Sequence, residues 1–445
     1  MAENKLQRQE DVQIKESVLS SKPKNELLKE FGGIKALKGF LPDAVDINEL
    51  EETEREHLAS DITTWLEILN EERESISEYA DLCEEKKGKT QELMEKNLKR
   101  VVKKIQNLET AYRSLDSFFK NAKTKKIPNL CLVNVKKYDE NGEETTELTD
   151  STSYSYKEID KLIGSAFNGF SLKHNFSLMA LPGYVFKNKK GEMSKQVRDI
   201  WADLAYKYKL LLFTDTKNCQ DYDSLKKHAE NYKGSNAELQ NVIVTCNWLI
   251  GRTAEPMAGE TKPLYSSPAA ALVGMRYALK DISQACAGEK FGTIREITGN
   301  NFYMLKPEFS SLWDDNLIPS VFSEGQTMFL GDTNLYDGEN TIMSQYPVVQ
   351  TFDWVKKTLM HFVHKIAFEK WDKYNSPSEL KDKITHFLNQ YRSVLFVDFH
   401  LGDVEQDPET KAVKIDITID PFEGVKNFII KVSADEQGNI SCKED

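Results

Sequence analysis

Apolar residues recur three and four positions apart between residues 98 and 119, which is the spacing of one face of an α-helix. The opposite face is basic, with Lys99, Arg100, Lys103 and Lys104. A helical pattern extends over residues 47–121 as a whole. We therefore predict a long helix that packs on a domain core through Leu98, Val101, Val102, Ile105, Leu108, Tyr112, Leu115 and Phe119.

Short apolar runs alternate with helical patterns in the middle of the chain. This alternation predicts a body that mixes helices and strands. The polar stretches 139–150 and 221–236 are expected to be an exposed loop and a mobile segment, respectively. The predicted strands are residues 130–135, 176–181, 210–214 and 242–248, and the predicted helices are residues 157–167, 197–208 and 269–284.

The last hundred residues begin with helical patterns at 351–374 and 378–390 and end in strand patterns at 394–401, 413–419 and 425–432. Period-two alternation of β-branched residues is typical of a strand with one buried face. A strand so near the end of the chain can remain an unpaired edge that accepts a strand from another molecule. The residues predicted to make such contacts between protomers are Val413, Ile415, Ile417, Ile419, Phe428, Ile430 and Val432.

Together these patterns predict an α+β fold with a mixed α/β body. We divide the chain into an N-terminal arm (1–45), a helical segment (46–125), a central body (126–345) and a C-terminal helix with β-strands (346–445). Within the arm, Ile14, Val18 and Leu19 form a short apolar stripe at helical spacing. The stripe is typical either of a solvated terminus or of a short helix that binds a partner groove.

Composition narrows the classes of function. The chain has 445 residues, is 40% hydrophobic and 29% charged, and carries a net charge of −12. An acidic chain is a poor match for nucleic acid or for an anionic membrane surface, so neither partner is expected. The six cysteines are widely spaced, as in a reducing compartment. Since neither a signal peptide nor an apolar run of membrane-spanning length is recognisable, we expect a cytoplasmic protein without membrane insertion.

No catalytic motif emerges. The sequence lacks a phosphate-binding loop, a dinucleotide fingerprint, a zinc-protease motif and a nucleophile elbow. His361 and His364 have no recognisable third metal ligand, and the loop 331–338 departs from the register of a calcium loop. We therefore predict no catalytic residue, no metal and no cofactor. One alternative remains an enzyme with an aromatic pocket around Trp313, Tyr336 and Trp354, and another is a soluble adaptor that binds partners through its helices.

Several short motifs, in order, resemble the large sheath subunit of bacterial type VI secretion, the TssC/VipB family, in a divergent Bacteroidetes-type branch. The stretch 107–115 is similar to the family's "LE-x-x-W-R-x-L" helix, with Tyr112 at the usual tryptophan, and a strand is expected after it. An alanine-rich helix follows Tyr265–Pro268, and 316–319 is similar to a "G-F-I-P-L" strand. One departure is Asp420-Pro421-Phe422, where the family usually has R-P-H. The resemblance covers about residues 90–433.

The resemblance implies a structural protein that is not an enzyme. It would pair with a small sheath subunit (TssB/VipA family), self-assemble into a helical sheath around an inner tube (Hcp family), attach to a baseplate and contract to drive effector delivery. An AAA+ unfoldase (ClpV) would engage an N-terminal helix, for which Ile14, Val18 and Leu19 are candidates. Candidates for inner-tube contact are Lys381, Asp382 and Lys383. The alternative within this class is a sheath protein of a phage tail or tailocin.

Overall fold

The computed structural model describes residues 76–124, 127, 129–135, 145–169, 171–256, 259–297, 299–366, 371–372, 375–407, 409–410, 412–424, 430–434 and 440–444. The chain divides into two compact units. One comprises residues 1–107 with 254–263, and the other comprises residues 108–253 with 264–445. The domain boundaries proposed above from the sequence remain predictions.

Helices and strands alternate along most of the described chain. The helices are α1 (Ile76–Ala122), α2 (Tyr154–Phe167), α3 (Lys195–Lys207), α4 (Tyr222–Ala229), α5 (Pro268–Ala278), α6 (Gly288–Gly292), α7 (Lys306–Asp314), α8 (Tyr346–Ile366) and α9 (Ser376–Asn389). The strands are β1 (Leu178–Leu181), β2 (Leu211–Asp215), β3 (Val242–Cys246), β4 (Leu249–Arg252), β5 (Leu264–Ser266), β6 (Ile318–Ser323), β7 (Gln326–Phe329), β8 (Phe396–Gln406), β9 (Val413–Pro421), β10 (Ile430–Ala434) and β11 (Ile440–Glu444). This mixture of elements confirms the predicted fold class.

A five-stranded sheet of order β1-β2-β3-β6-β7 forms the centre of the larger unit. The first four of these strands are parallel, and β7 pairs with β6 in the antiparallel direction. Side chains of β2 and β3 alternate between two cores: Leu212 and Val244 lie in one, and Phe213 and Ile243 lie in the other. Both faces of the sheet are therefore covered, as is usual for parallel strands.

The carboxylate of Asp215, at the end of β2, joins the sheet to α5. It is buried and accepts four hydrogen bonds: from the backbone N–H groups of Gly183 (2.6 Å) and Ala269 (2.8 Å) and from the hydroxyls of Thr245 (2.6 Å) and Ser267. Burial raises the pKa of Asp215, and these four donors oppose the rise. The N-terminus of α5 also favours a negative charge at this position.

Small residues on α5 let the end of α1 approach closely. Ala269, Ala270, Ala271 and Gly274 are buried, and a Cβ at Gly274 would overlap the carbonyl oxygen of Phe118. The predicted packing of α1 on a core is wrong further along its face, where Leu108 and Tyr112 are 72% and 64% exposed. The reason is that, between Leu108 and Ala122, the buried side chains of α1 are those of Ser114, Ser117, Asn121 and Ala122, so the helix packs closely only in these last turns.

Two other predictions on this body are wrong. Residues 130–135 form no strand, because no other strand of the described chain pairs with them. The stretch 221–236 contains α4, which is capped by the Asp221 carboxylate accepting from the Ser224 N–H (2.8 Å) and is anchored by buried Leu225. Here a cap and the buried residues Leu225, Ala229 and Tyr232 order a segment whose composition is mostly polar.

A third core underlies β8 and β9. Val355 and Leu359 of α8 pack with the buried face of α9, which carries Leu380, Ile384 and Leu388. Strands β8 and β9 close this core from the other side. Two pairs of aromatic rings also pack against each other here. Trp354 packs edge-on against Tyr391 (4.6 Å between ring centroids), and Phe362 stacks on Phe387 (5.7 Å).

We expect Asp215→Asn to destabilise the protein, because an amide group would replace one oxygen that accepts two buried hydrogen bonds. Leaving two buried donors unsatisfied costs about 2–5 kcal/mol in the free energy of unfolding. Urea denaturation followed by circular dichroism measures this loss. Asp403→Asn, at a side chain that is 92% exposed, is the control and should change stability by less than about 0.5 kcal/mol. Equal urea midpoints for Asp215→Asn and Asp403→Asn would contradict the stabilising role given to the Asp215 carboxylate.

We expect Ile419→Ala to cost about 2–5 kcal/mol, since its side chain is buried in the third core. Thr418→Ala, at the adjacent exposed position, should be close to neutral. Urea midpoints of the two variants, compared with the unchanged protein, test which face of β9 points inward. A larger loss at Thr418 than at Ile419 would refute this assignment.

Candidate functional site

The C-terminal strands form two separate antiparallel hairpins. Strand β8 pairs with β9 from Phe396↔Pro421 to Gln406↔Val413, and β10 pairs with β11 from Ile430↔Glu444 to Ala434↔Ile440. Strand β11 was missed in the sequence, because five residues with apolar side chains only at Ile440 and Cys442 give a weak alternation. Each hairpin is a two-stranded sheet, so within the described residues each of its strands has one edge without a neighbouring strand.

The predicted contact residues of β9 face the chain's own third core. Ile419 is buried, while Val413, Ile415 and Ile417 are half-buried and pack against that core. The residues between them are exposed. These apolar side chains therefore stabilise the subunit itself, and their contact with another protomer remains a prediction.

Strand β8 of the first hairpin is irregular. Val397 interrupts the pairing between Phe396↔Pro421 and Asp398↔Asp420, and a second irregularity separates Leu401↔Ile417 from Val404↔Ile415. At the second, Gly402 and Asp403 stand opposite the single residue Asp416. Such bulges bend a strand and increase its twist. They also break the period-two pattern, which explains why β8 extends to Gln406, beyond the predicted end at residue 401.

Carboxylates dominate the exposed positions of the β8–β9 hairpin. Asp403, Glu405, Asp416 and Asp420 are all exposed, and Lys414 lies among them with its Nζ 3.0 Å from a carboxylate oxygen of Asp416. This neighbouring carboxylate raises the pKa of Lys414. The surface is thus acidic and favours contact with a basic partner surface.

The candidate inner-tube residues lie on α9. The Nζ of Lys381 is 3.7 Å from a carboxylate oxygen of Asp403 on β8, and Asp382 and Lys383 are exposed. Because α9 buries its other face in the third core, these three residues present a charged surface on a firmly packed helix. Their contact with a tube remains a prediction.

The remaining predicted site residues are only partly covered by the structure. Ile430 and Val432 lie on β10, where they pair with Glu444 and Cys442. Phe428 and the arm residues Ile14, Val18 and Leu19 lie outside the described residues. Their proposed contacts stay predictions.

The aromatic pocket of the enzyme alternative is not formed as predicted. Tyr336 belongs to the core on one face of the central sheet, whereas Trp354 packs against the third core. Trp313 lies edge-on to Phe309 and donates its indole N–H to the Leu330 carbonyl (2.7 Å). Among the described residues no cluster of histidine, cysteine and carboxylate side chains could hold a metal ion.

No helix in the described ranges is both long enough and apolar enough to cross a bilayer.

Two solved structures from the anti-feeding prophage are similar to this chain. A chain of the anti-feeding prophage baseplate matches 73% of this chain and 81% of its own length, with 14% identity and a TM-score of 0.50. A chain of the helical sheath of the anti-feeding prophage in its contracted state matches 73% of this chain and 82% of its own length, with 14% identity and a TM-score of 0.49. None of the curated proteins matches this chain.

Two family models cover most of the sequence. "Type VI secretion system TssC/VipB, central domain" matches residues 100–337, which include the five-stranded sheet. "TssC/VipB-like, C-terminal domain" matches residues 345–443, which include α8, α9 and both hairpins. The chain therefore belongs to the TssC/VipB family of type VI secretion, the large structural subunits of the contractile sheath.

Proposed function

We propose that this chain pairs with a small sheath subunit of the TssB/VipA family and polymerises in the cytoplasm around an inner tube of the Hcp family. The polymer starts at a baseplate and contracts to drive effector delivery. The observation that carries the proposal is the pair of two-stranded hairpins, each with edges that no other described strand covers, of which β8–β9 packs on the third core. An isolated two-stranded hairpin is marginally stable and gains most from additional strands.

Strand addition suits a sheath because it gives directional contacts that survive movement. Backbone hydrogen bonds fix the register of two chains, while the surrounding side-chain surfaces are free to repack. A subunit that offers one edge and receives a strand elsewhere makes a heterologous contact, and such contacts generate open helical arrays. Contraction is then a change between two packings of the same subunits, with the energy stored at assembly.

Two other contacts are proposed for residues outside the C-terminal strands. Lys381, Asp382 and Lys383 on α9 are proposed to meet the inner tube. Ile14, Val18 and Leu19 are proposed to bind an AAA+ unfoldase of the ClpV type after contraction. Both assignments follow from the family resemblance and from the charge or periodicity of these residues. No step of this function requires catalysis by the subunit, and the family consists of structural proteins.

A phage-tail sheath protein is the alternative within the same class. The fold is shared with the anti-feeding prophage chains at 14% identity, which supports a common architecture. The two TssC/VipB family models together extend from residue 100 to residue 443, with a gap at 338–344, and favour the secretion sheath. The alternative is therefore not better supported.

Removal of residues 430–445 is expected to abolish polymerisation while leaving a folded subunit. This truncation deletes the β10–β11 hairpin but keeps β9, whose side chains complete the third core. The truncated chain, co-expressed with the small sheath subunit, should elute as a heterodimer and form no tubes in negative-stain electron micrographs. The full-length pair should form hollow ridged tubes.

Lys190→Ala is the matched control, because it changes an exposed side chain outside the C-terminal hairpins and removes no strand. It should polymerise like the unchanged protein. Normal tubes from the truncated chain would contradict the proposal that the hairpin edges join neighbouring subunits. A full-length chain that stays monomeric beside the small subunit would contradict the proposed function itself.

A further inference from the structure

Helix α8 carries a stripe of polar side chains along one of its faces. The stripe residues are spaced three and four positions apart, which is the spacing by which a helix usually presents an apolar face to a core. At 3.6 residues per turn they fall within an arc of about 60° and extend over about three turns. The polar stripe consists of Tyr346, Gln350, Asp353 and Lys357.

The first half of the polar stripe is bonded to α5 and to the segment that follows it. The Tyr346 hydroxyl accepts from the backbone N–H of Cys286 (2.7 Å). The side-chain oxygen of Gln350 accepts from the Nε of Arg276 (2.5 Å), which lies in the last turn of α5. The guanidinium of Arg276 also lies over the Tyr346 ring, 5.9 Å from its centroid.

The second half of the polar stripe is bonded to the amino ends of the central strands. Lys357 donates to the carbonyl of Phe176 (2.8 Å), two residues before β1. Asp353 accepts from the side-chain amide of Asn241 (2.7 Å), directly before β3. The same amide donates to the carbonyl of Leu210 (2.8 Å), directly before β2. All four stripe residues are thus hydrogen-bonded to the central body.

The opposite face of α8 is apolar and packs into the third core. Its residues follow the same helical spacing, about half a turn away from the polar stripe. They are Phe352, Val355, Leu359 and Phe362. Helix α8 therefore lies between the central body and the core that underlies the β8–β9 hairpin.

The two faces of α8 constrain its position differently. Apolar contacts are non-directional, and packed helices can slide past one another in small steps. Hydrogen bonds are directional, so a row of them specifies both the rotation and the axial position of a helix. Burial lowers the pKa of Lys357 to about 8 and raises the pKa of Asp353, so each charge is less favourable here than in water. Such groups are better explained by positioning than by stability.

We propose that α8 is the coupling helix of the subunit, and that its polar stripe fixes the β8–β9 hairpin relative to the central sheet, so that a displacement of the hairpin moves the whole body. This inference rests on the proposed function, which supplies the displacement during contraction. Without the polar stripe, α8 would slide between the central body and the third core. Part of the hairpin's movement would then be lost within the subunit, and a sheath that assembles normally would drive the inner tube poorly.

Two matched double variants separate coupling from assembly. Gln350→Leu with Lys357→Met removes one acceptor and one donor of the polar stripe and keeps similar side-chain volumes. Gln350→Glu with Lys356→Met is the control, because a glutamate still accepts from Arg276 and Lys356 is exposed. Each variant replaces the unchanged chain in cells that assemble the complete apparatus. The readouts are the sheath sedimented from the lysate and the tube protein released into the medium.

The stripe variant should yield as much sheath as the unchanged chain and release at least tenfold less tube protein per amount of sheath. The control should match the unchanged chain in both readouts. Normal release from the stripe variant would overturn the inference and leave the proposed function intact. Loss of sheath in the stripe variant alone would also overturn it, because the polar stripe would then serve folding or assembly. An unchanged chain that gives neither sheath nor released tube protein would contradict the proposed function itself.

Discussion

Backbone pairing is the constraint on which this structure depends, since every N–H and C=O group of a buried strand needs a partner. The central sheet meets that requirement internally: β2 and β3 lie between neighbouring strands and under helices on both faces. The two C-terminal hairpins have strand edges that no other strand of the described chain covers. The places where pairing is incomplete are the places where we locate contacts with other chains.

A subunit that transmits force needs a body that moves as one piece. The buried carboxylate of Asp215 joins the ends of β2 and β3 to the start of α5 through four hydrogen bonds. The close approach of Gly274 to Phe118 fixes the end of α1 on the same helix. Such dense contacts favour discrete rearrangements at interfaces over gradual deformation within the subunit. We therefore expect the central sheet to stay rigid and rearrangements to occur at the open strand edges.

Much of the fold could be predicted from local patterns. The strand β9 follows strict alternation, and α5 begins at the Ser267-Pro268 cap, so both were found from the sequence. Bulges disturb the alternation of β8, and β11 is too short to give a clear signal. The exposed face of α1 around Leu108 looks like a core face, because periodicity shows which residues share a side and not what covers that side. The same limit applies to residues 130–135, whose sequence is that of a strand although no strand of the described ranges pairs with them.

Side chains and backbone of the C-terminal strands therefore have separate roles in this account: the inward residues of β9 hold the subunit together, and we propose that the open edges link one subunit to the next. A high-resolution cryo-electron microscopy map of the sheath formed with the small subunit tests this claim most directly. The account predicts that at least one of the β8–β9 and β10–β11 hairpins is extended into a larger sheet by a strand from an adjacent protomer. A map in which both hairpins remain two-stranded, with protomers joined only through side-chain contacts, would contradict it.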